Sequence, residues 1–179
     1  ACKKHDIRKT WPAEVEQELA QLSESTIETL ASSRTDLSAL SFITIDSHST
    51  VDIDDAIYVE KIASGWKLSV AIADPSSVIP KGSEIEKEAL KRASSLYFPG
   101  QHISMLPEKI AGDLCSLKEN ALRLVKVVQI DISEAGDILD YKIVEAVIKS
   151  QKKFSYSELS HHYDTPSSDI SPTLNAMLI

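Results

Sequence analysis

Cysteine is nearly absent: Cys2 and Cys115 are the only two in 179 residues, and they supply neither a disulfide framework nor zinc-knuckle spacing. A reducing, cytoplasmic setting suits that usage. Long hydrophobic runs are also missing. Stretches such as Leu68 to Ala73 are far too short to cross a bilayer. No charged-then-apolar leader opens the sequence, so neither export nor a membrane is expected. Basic residues are scarce, 19 Lys and Arg against 27 Asp and Glu, for a net charge of −8. That balance is unfavourable for gripping a phosphate backbone, which draws on Lys and Arg. Acidic residues can nevertheless serve phosphate chemistry by holding the divalent cations that touch the phosphate, so their placement matters more than their total. What remains is ordinary for a soluble globular protein, with 42% hydrophobic and 26% charged residues, enough to bury a core.

The first stretch is helical in character. Pro12 suits a first turn, and Val15, Leu19 and Leu22 recur at i, i+4 and i+7. A second helix is expected over Ser25 to Ala31, with Ser25 and Glu28 spaced as a capping box. Residues 1–35 read as a linker or inter-domain helices, and 36–179 as the domain proper. There the pattern turns to strands. Ala56 to Ile62 and Trp66 to Ala73 predict a hairpin turning at Ser64-Gly65. Ser83 and Glu86 predict a capped helix whose side is lined by Ile85, Ala89, Ala93 and Leu96, ended by Tyr97-Phe98-Pro99-Gly100. A short helix is expected from Pro107. Leu122, Leu124, Val128, Ile130 and Ile132 then alternate along one strand face, broken only by Lys126, and Gly136 turns the chain into a partner strand through about Ile148. Strands and helices do not alternate regularly. The expected class is therefore α+β with a mixed or antiparallel sheet. Thr173 to Ile179 reads as a helix just beginning.

The chemistry concentrates in ITIDSHSTVDIDDAIYVE. Asp46, Asp52, Asp54 and Asp55 fall within ten residues, flanked by apolar strand-like sequence. At ~4 Å and an effective dielectric of ~20, each like-charged pair repels by roughly 4 kcal/mol. Such a cluster needs a cation, or must splay into water. If Asp52 to Asp54 is extended, both carboxylates share a face while Ile53 points to the core. Asp46, at the end of the preceding strand, can close the site from the other side. Hard oxygen ligands without Cys or His favour Mg²⁺, with Mn²⁺ as substitute, over Zn²⁺. A calcium loop is excluded, because no glycine stands sixth and no glutamate twelfth from Asp46 or Asp52. The alternative for these residues is a solvated acidic loop.

RTDLSALSFITIDSHSTVDIDDAIYVE, KLSVAIADPSSVI, SSLYFPG, SMLPEKIAGDLCSL and the hairpin ending near KKFSY resemble, in order and spacing, the catalytic domain of the ribonuclease II and ribonuclease R family, from about Arg34 to Tyr156. SHSTVDIDD and YFPG look closer to ribonuclease II. The resemblance implies a 3′-to-5′ exoribonuclease that hydrolyses single-stranded RNA to nucleoside 5′-monophosphates with two metal ions. It puts Asp46, Asp52, Asp54 and Asp55 at the family's four acidic positions, and Asp54 at the one whose loss abolishes cleavage but not RNA binding. Tyr97 takes the place of the aromatic that holds the 3′-terminal nucleotides. It further implies that this chain is the N-terminal part of its domain, a poor nuclease by itself. OB-fold RNA-binding domains, an active-site arginine, an acidic partner and a second stacking aromatic would lie elsewhere in the full-length protein.

Other candidates have plainer readings. His48 reads as an exposed loop residue. His161 and His162 point about 100° apart on a helix and read as surface. Cys115 lacks a histidine-containing motif and reads as a buried thiol. Asp74 could support the site or simply start the turn at Pro75. Trp66 reads as core, and so would Tyr97 without the resemblance. Two other functions remain open: a non-catalytic RNA-binding or regulatory module that keeps the fold, against which the intact cluster argues, and an Asp-x-Asp transferase, for which no glycine-rich phosphate loop is visible.

Overall fold

Helix α1 (Ala13–Gln21) and helix α2 (Glu24–Ala31) open the computed structural model, which describes residues 8–164, excluding the side chains of 161–164. Val15, Leu19 and Leu22 are all buried, as their spacing predicts. The cap of α2 differs from the Ser25/Glu28 expectation. Ser23 is the N-cap, and its backbone N–H donates to Thr26 Oγ1 at 3.2 Å. The same serine/threonine chemistry is satisfied two residues earlier, because the helix already starts at Glu24. Neither helix stands apart from the rest of the domain. Val15, Leu19, Leu22 and Ile27 share one core cluster with Ile85, Ile110, Leu124 and Val147.

The chain continues through β1 (Thr35–Asp36), β2 (Ile43–Asp46), β3 (Asp55–Ile62) and β4 (Gly65–Ala73). The β3–β4 hairpin forms as expected, pairing Asp55 with Ile72 at one end and Ile62 with Gly65 at the other. Gly65 has φ +142°, and a Cβ there would come within 2.1 Å of the Ile132 carbonyl oxygen, so only glycine fits. A short helix α3 (Pro75–Val78) and helix α4 (Glu84–Arg92) come next. Ser83 caps α4, its Oγ accepting from Glu86 N at 3.1 Å, as the spacing predicts. The helix stops sooner than Leu96, however: Ala93 turns left-handed at φ 63°. Residues 96–98 instead form β5 (Leu96–Phe98), paired with β6 (Gln101–Ile103) in a separate two-stranded hairpin. The helical spacing of Leu96 is thus coincidental. Arg92 at the helix end fixes the departure, donating to the carbonyls of Thr10 (2.9 Å) and Ser104 (3.1 Å).

From Pro107 the chain makes a π-helical segment (Lys109–Leu114), then β7 (Leu122–Ser133), β8 (Ile138–Lys149), β9 (Lys152–Ser155) and helix α5 (Tyr156–Asp164). The main sheet runs β1-β8-β7-β4-β3-β2-β9. Its central strands are antiparallel, while β1 joins β8 and β9 joins β2 in parallel. This is the α+β arrangement with a mixed sheet that the sequence predicts. Leu124 and Val147 meet the helices on one face. Val125, Val127, Ala146 and Ala71 on the other pack with Phe42, Ile53 and Leu117. Ile53 and Leu117 come from loops, so the segments before β3 and β7 are part of the core. Among the described residues no helix is long and apolar enough to cross a membrane. The expected helix over Thr173 to Ile179 lies outside the described residues.

Candidate functional site

The aspartates stand where β2 ends and β3 begins. Asp46 is the last residue of β2, next to Ser155 of β9, and Asp55 is the first of β3. The connection between them is held at several points. Ile53 is 4% exposed. Its N–H donates to Ser116 Oγ at 3.2 Å, and its carbonyl accepts from Leu117 N at 2.9 Å. Ser116 Oγ in turn donates to Val51 O at 2.6 Å, and Ala73 N donates to Asp54 O at 2.8 Å. With Ile53 locked inward, Asp52 is half-buried and Asp54 and Asp55 are exposed. The inward isoleucine between outward carboxylates is the alternation predicted for an extended Asp52 to Asp54.

The cluster is electrostatically uncomfortable. Desolvation raises the Asp46 carboxyl above the ordinary carboxylate range, the charges of Asp55 and Asp52 add to this, and Lys153 opposes it. Desolvation also raises Asp54, reinforced by Asp52, Asp55 and Asp46. Asp46 Oδ2 is buried without a hydrogen-bond partner among the described residues, a state that costs about 1–3 kcal/mol or more for a charged group. An orphaned carboxylate oxygen beside three further carboxylates fits a hard divalent cation. Among the described residues no three His, Cys, Asp or Glu side chains already stand as an ion cage. Four like charges are expected to stay splayed until a cation neutralises them.

Lys153 escapes notice in the sequence, where it is one of two lysines ahead of Phe154. Its Nζ donates to the carbonyls of Thr50 (2.6 Å) and His48 (3.4 Å), holding the far side of the aspartate loop. A cleft of about 400 Å³ opens there, bordered by His48, Thr50, Ile53, Lys118 and Lys153. Only the contact from β9 to a loop a hundred positions earlier reveals the role of Lys153, although the residue lies within the KKFSY stretch. His48 is exposed, as expected of a loop histidine.

Tyr97 lies on β5, in the smaller hairpin rather than the sheet that carries the aspartates. It is 71% exposed. Its ring stacks on that of His102, directly across the hairpin, with centroids 4.5 Å apart and planes 9° from parallel. A core-packing role for Tyr97 is therefore excluded. Trp66 is half-buried rather than core, with Lys61 Nζ 4.3 Å above its ring. Cys115 is buried, and burial pushes its thiol up to about 12, which makes it an inert thiol as its context predicts.

Asp74 is structural. It is 3% exposed, and Arg34 Nη2 donates to its Oδ2 at 2.7 Å. Ser76 Oγ (2.5 Å) and Ser77 Oγ (2.6 Å) also donate to this carboxylate. Burial pushes the carboxyl up, but these hydrogen bonds and the Arg34 charge outweigh it and hold it at about 2. The side chains of His161 and His162 lie outside the described residues.

Known proteins match the stretch of chain that carries these residues. The family model described as RNB domain matches residues 34–178. Ribonuclease R of Vibrio cholerae is 42% identical over 160 residues, covering 89% of this chain and 20% of that protein. Exoribonuclease 2 of Mannheimia succiniciproducens is 41% identical over 138 residues, covering 73% of this chain and 21% of its own length. The chain thus spans about a fifth of these relatives. Mycoplasma genitalium RNase R, solved in complex with double-stranded RNA, superposes with a TM-score of 0.89 at 35% identity, over 99% of this chain and 32% of that one. The special closeness to ribonuclease II expected from SHSTVDIDD and YFPG is not borne out. The ribonuclease R likeness is as strong and extends further along the chain. Short local variants weigh less than identity spread over the whole domain.

Proposed function

Because the chain belongs to the RNB domain family, we propose that it carries the metal-binding part of a 3′-to-5′ exoribonuclease hydrolysing single-stranded RNA to nucleoside 5′-monophosphates. The orphaned Asp46 Oδ2, buried at the end of β2 beside three further aspartates that follow on a pinned connection, carries this reading. Asp46, Asp52, Asp54 and Asp55 would hold Mg²⁺, or Mn²⁺ in its place. When bound, a pair of such cations supplies an activated water on one side of the phosphate and charge neutralisation at the leaving 3′ oxygen on the other. The chain's own residues fix that arrangement. Ile53 anchors the loop inward, Ser116 ties its backbone, and Lys153 holds its opposite side. Lys153 also places positive charge beside Asp46, where a phosphate would need it. RNA as the ligand is supported by the RNA-bound state of the Mycoplasma relative. The free buried thiol of Cys115 suits a cytoplasmic setting.

The test is to incubate the full-length protein with 3′-labelled single-stranded RNA. Mononucleotide release with Mg²⁺ or Mn²⁺, abolished by excess chelator and not restored by Ca²⁺, is the expected outcome. Calcium accepts a looser, higher-coordinate geometry that misplaces the reacting groups. RNA binding without release would identify a non-catalytic module instead. In the absence of RNA, Mg²⁺ at about 100 times its Kd should stabilise the fold by about 2.7 kcal/mol, read as a rise in melting temperature.

Tyr97 is assigned to the 3′-terminal nucleotides. In full-length protein Tyr97→Ala should lengthen the end product while initial degradation of long RNA changes little, since one stacked base contributes ~1–3 kcal/mol. With the ring 71% exposed, melting temperature should stay within about a degree of the parent. An unchanged product ladder removes Tyr97 from the site.

A further inference from the structure

Between helix α2 and the aspartate loop runs an unbroken series of polar contacts through the core. Arg123, on β7, is 2% exposed. Its Nη1 and Nη2 meet the two Glu24 carboxylate oxygens at 2.9 and 3.0 Å, a bidentate pair to the first residue of α2. Its Nε donates to Ser116 O at 2.9 Å, and Nη1 also donates to Leu122 O at 2.8 Å. Ser116, with no exposed surface, then uses its hydroxyl twice on the aspartate loop, donating to Val51 O and accepting from Ile53 N. Val51 and Ile53 are the two neighbours of Asp52, and Ile53 directly precedes Asp54.

We propose that Ser116 and Arg123, aimed by Glu24, are positioning residues that fix the backbone bearing Asp52 and Asp54. Two features favour this over ordinary core packing. A buried hydroxyl that both donates and accepts ties two backbone groups to one oxygen, whereas an apolar residue would only fill the space. A planar guanidinium held bidentately cannot swing, so its third donor is directed at a single carbonyl. Groups one step removed from metal ligands commonly tune affinity or activity 10–100-fold when lost. Glu24 precedes residue 34, where the RNB match begins, so helix α2 belongs to the working site although it lies outside the matched domain.

This inference rests on the metal-dependent nuclease reading, and the experiment separates the two. In full-length protein, Ser116→Ala and Glu24→Ala are compared with the parent for melting temperature, for Mn²⁺ affinity by electron paramagnetic resonance, and for kcat and KM on single-stranded RNA. Ser116→Ala should weaken Mn²⁺ binding about tenfold or more and lower kcat by at least as much, with KM for RNA within about twofold. Glu24 is 58% exposed in its side chain, and Arg123 keeps its bonds to the Ser116 and Leu122 carbonyls when Glu24 is truncated, so Glu24→Ala is the milder second variant if Ser116→Ala does not fold. It should shift Mn²⁺ affinity and kcat in the same direction, by about two- to fivefold. A lower melting temperature with parental Mn²⁺ affinity and kcat in the folded variants would overturn the proposal and leave these residues as packing. A parent that neither binds Mn²⁺ nor needs it would overturn the nuclease reading itself.

Discussion

Replacing Asp54 by Asn in the full-length protein should lower single-stranded RNA cleavage by at least about 10²- to 10³-fold, the scale on which losing one group that organises transition-state charge is felt. Asp54 already stands near Asp52, Asp55 and Asp46, whose charges raise its carboxyl, so it contributes to a shared negative field. The amide keeps the shape and removes one charge from that field. It should not disturb the fold, because Asp54 is exposed and its structural contact is made by its backbone carbonyl to Ala73 N. RNA binding should persist, since backbone and stacking contacts dominate single-strand affinity. Filter binding and turnover on one preparation decide the matter, and a variant with most of its activity would remove Asp54 from the reaction.

The largest stability effect should come from Asp74. Asp74→Asn leaves the Arg34 guanidinium, 7% exposed, without its counter-charge, and breaking one side of a buried ion pair costs about 3–5 kcal/mol. The effect is pH-dependent with a definite sign. The folded-state carboxyl sits at about 2 against an ordinary 3.8, so its contribution is complete above the ordinary value and disappears as pH falls through about 2. At 1.36 kcal/mol per pH unit the titrating part is roughly 2–3 kcal/mol. Urea denaturation of parent and variant should therefore differ fully at pH 5 to 7 and converge progressively below about pH 4. A difference that does not depend on pH would mean that the pair is not ionic. The Arg34–Asp74 bond joins the start of β1 to the end of β4, so weakening it should also loosen the seam between the amino-terminal helices and the sheet.

Features of this molecule that depend on near neighbours could be read from its sequence. The β3–β4 and β7–β8 hairpins fold back about Gly65 and Gly136, and Ser83 caps α4 three residues before Glu86. The outward Asp52 and Asp54 around inward Ile53 reflect the geometry of any extended segment. Features set by distant partners could not be read. Leu96 continues a helical spacing, yet Arg92 ties the end of α4 to Thr10 and Ser104, and the chain leaves the helix at Ala93 without a glycine to announce it. Ser23 and Ser25 are chemically equivalent caps, and the packing of α2 decides between them. Ser116 and Lys153 lie inside the SMLPEKIAGDLCSL and KKFSY stretches, but their roles are invisible there, because each acts on backbone of the aspartate loop that only folding brings near. The aspartates themselves stand out because repulsion among four close carboxylates requires an explanation even in one dimension.

The parallel pairing of β2 with β9 also has a consequence for the order of assembly. Residues 43–46, ending in Asp46, lie between β3 and a strand made by residues 152–155. The two hairpins can close as soon as each is synthesised, since their strands are neighbours in the chain. Ile43 can pair with Ile57 of β3 early, but Thr44 to Asp46 pair with β9, and the entropy of closing so long a loop is repaid only when that distant pairing forms. During synthesis the Asp46 side of the site should therefore take shape only once β9 is made, and a nascent chain stopped before Lys152 would hold Asp52 and Asp54 through Ser116 while leaving Asp46 without its β9 neighbour.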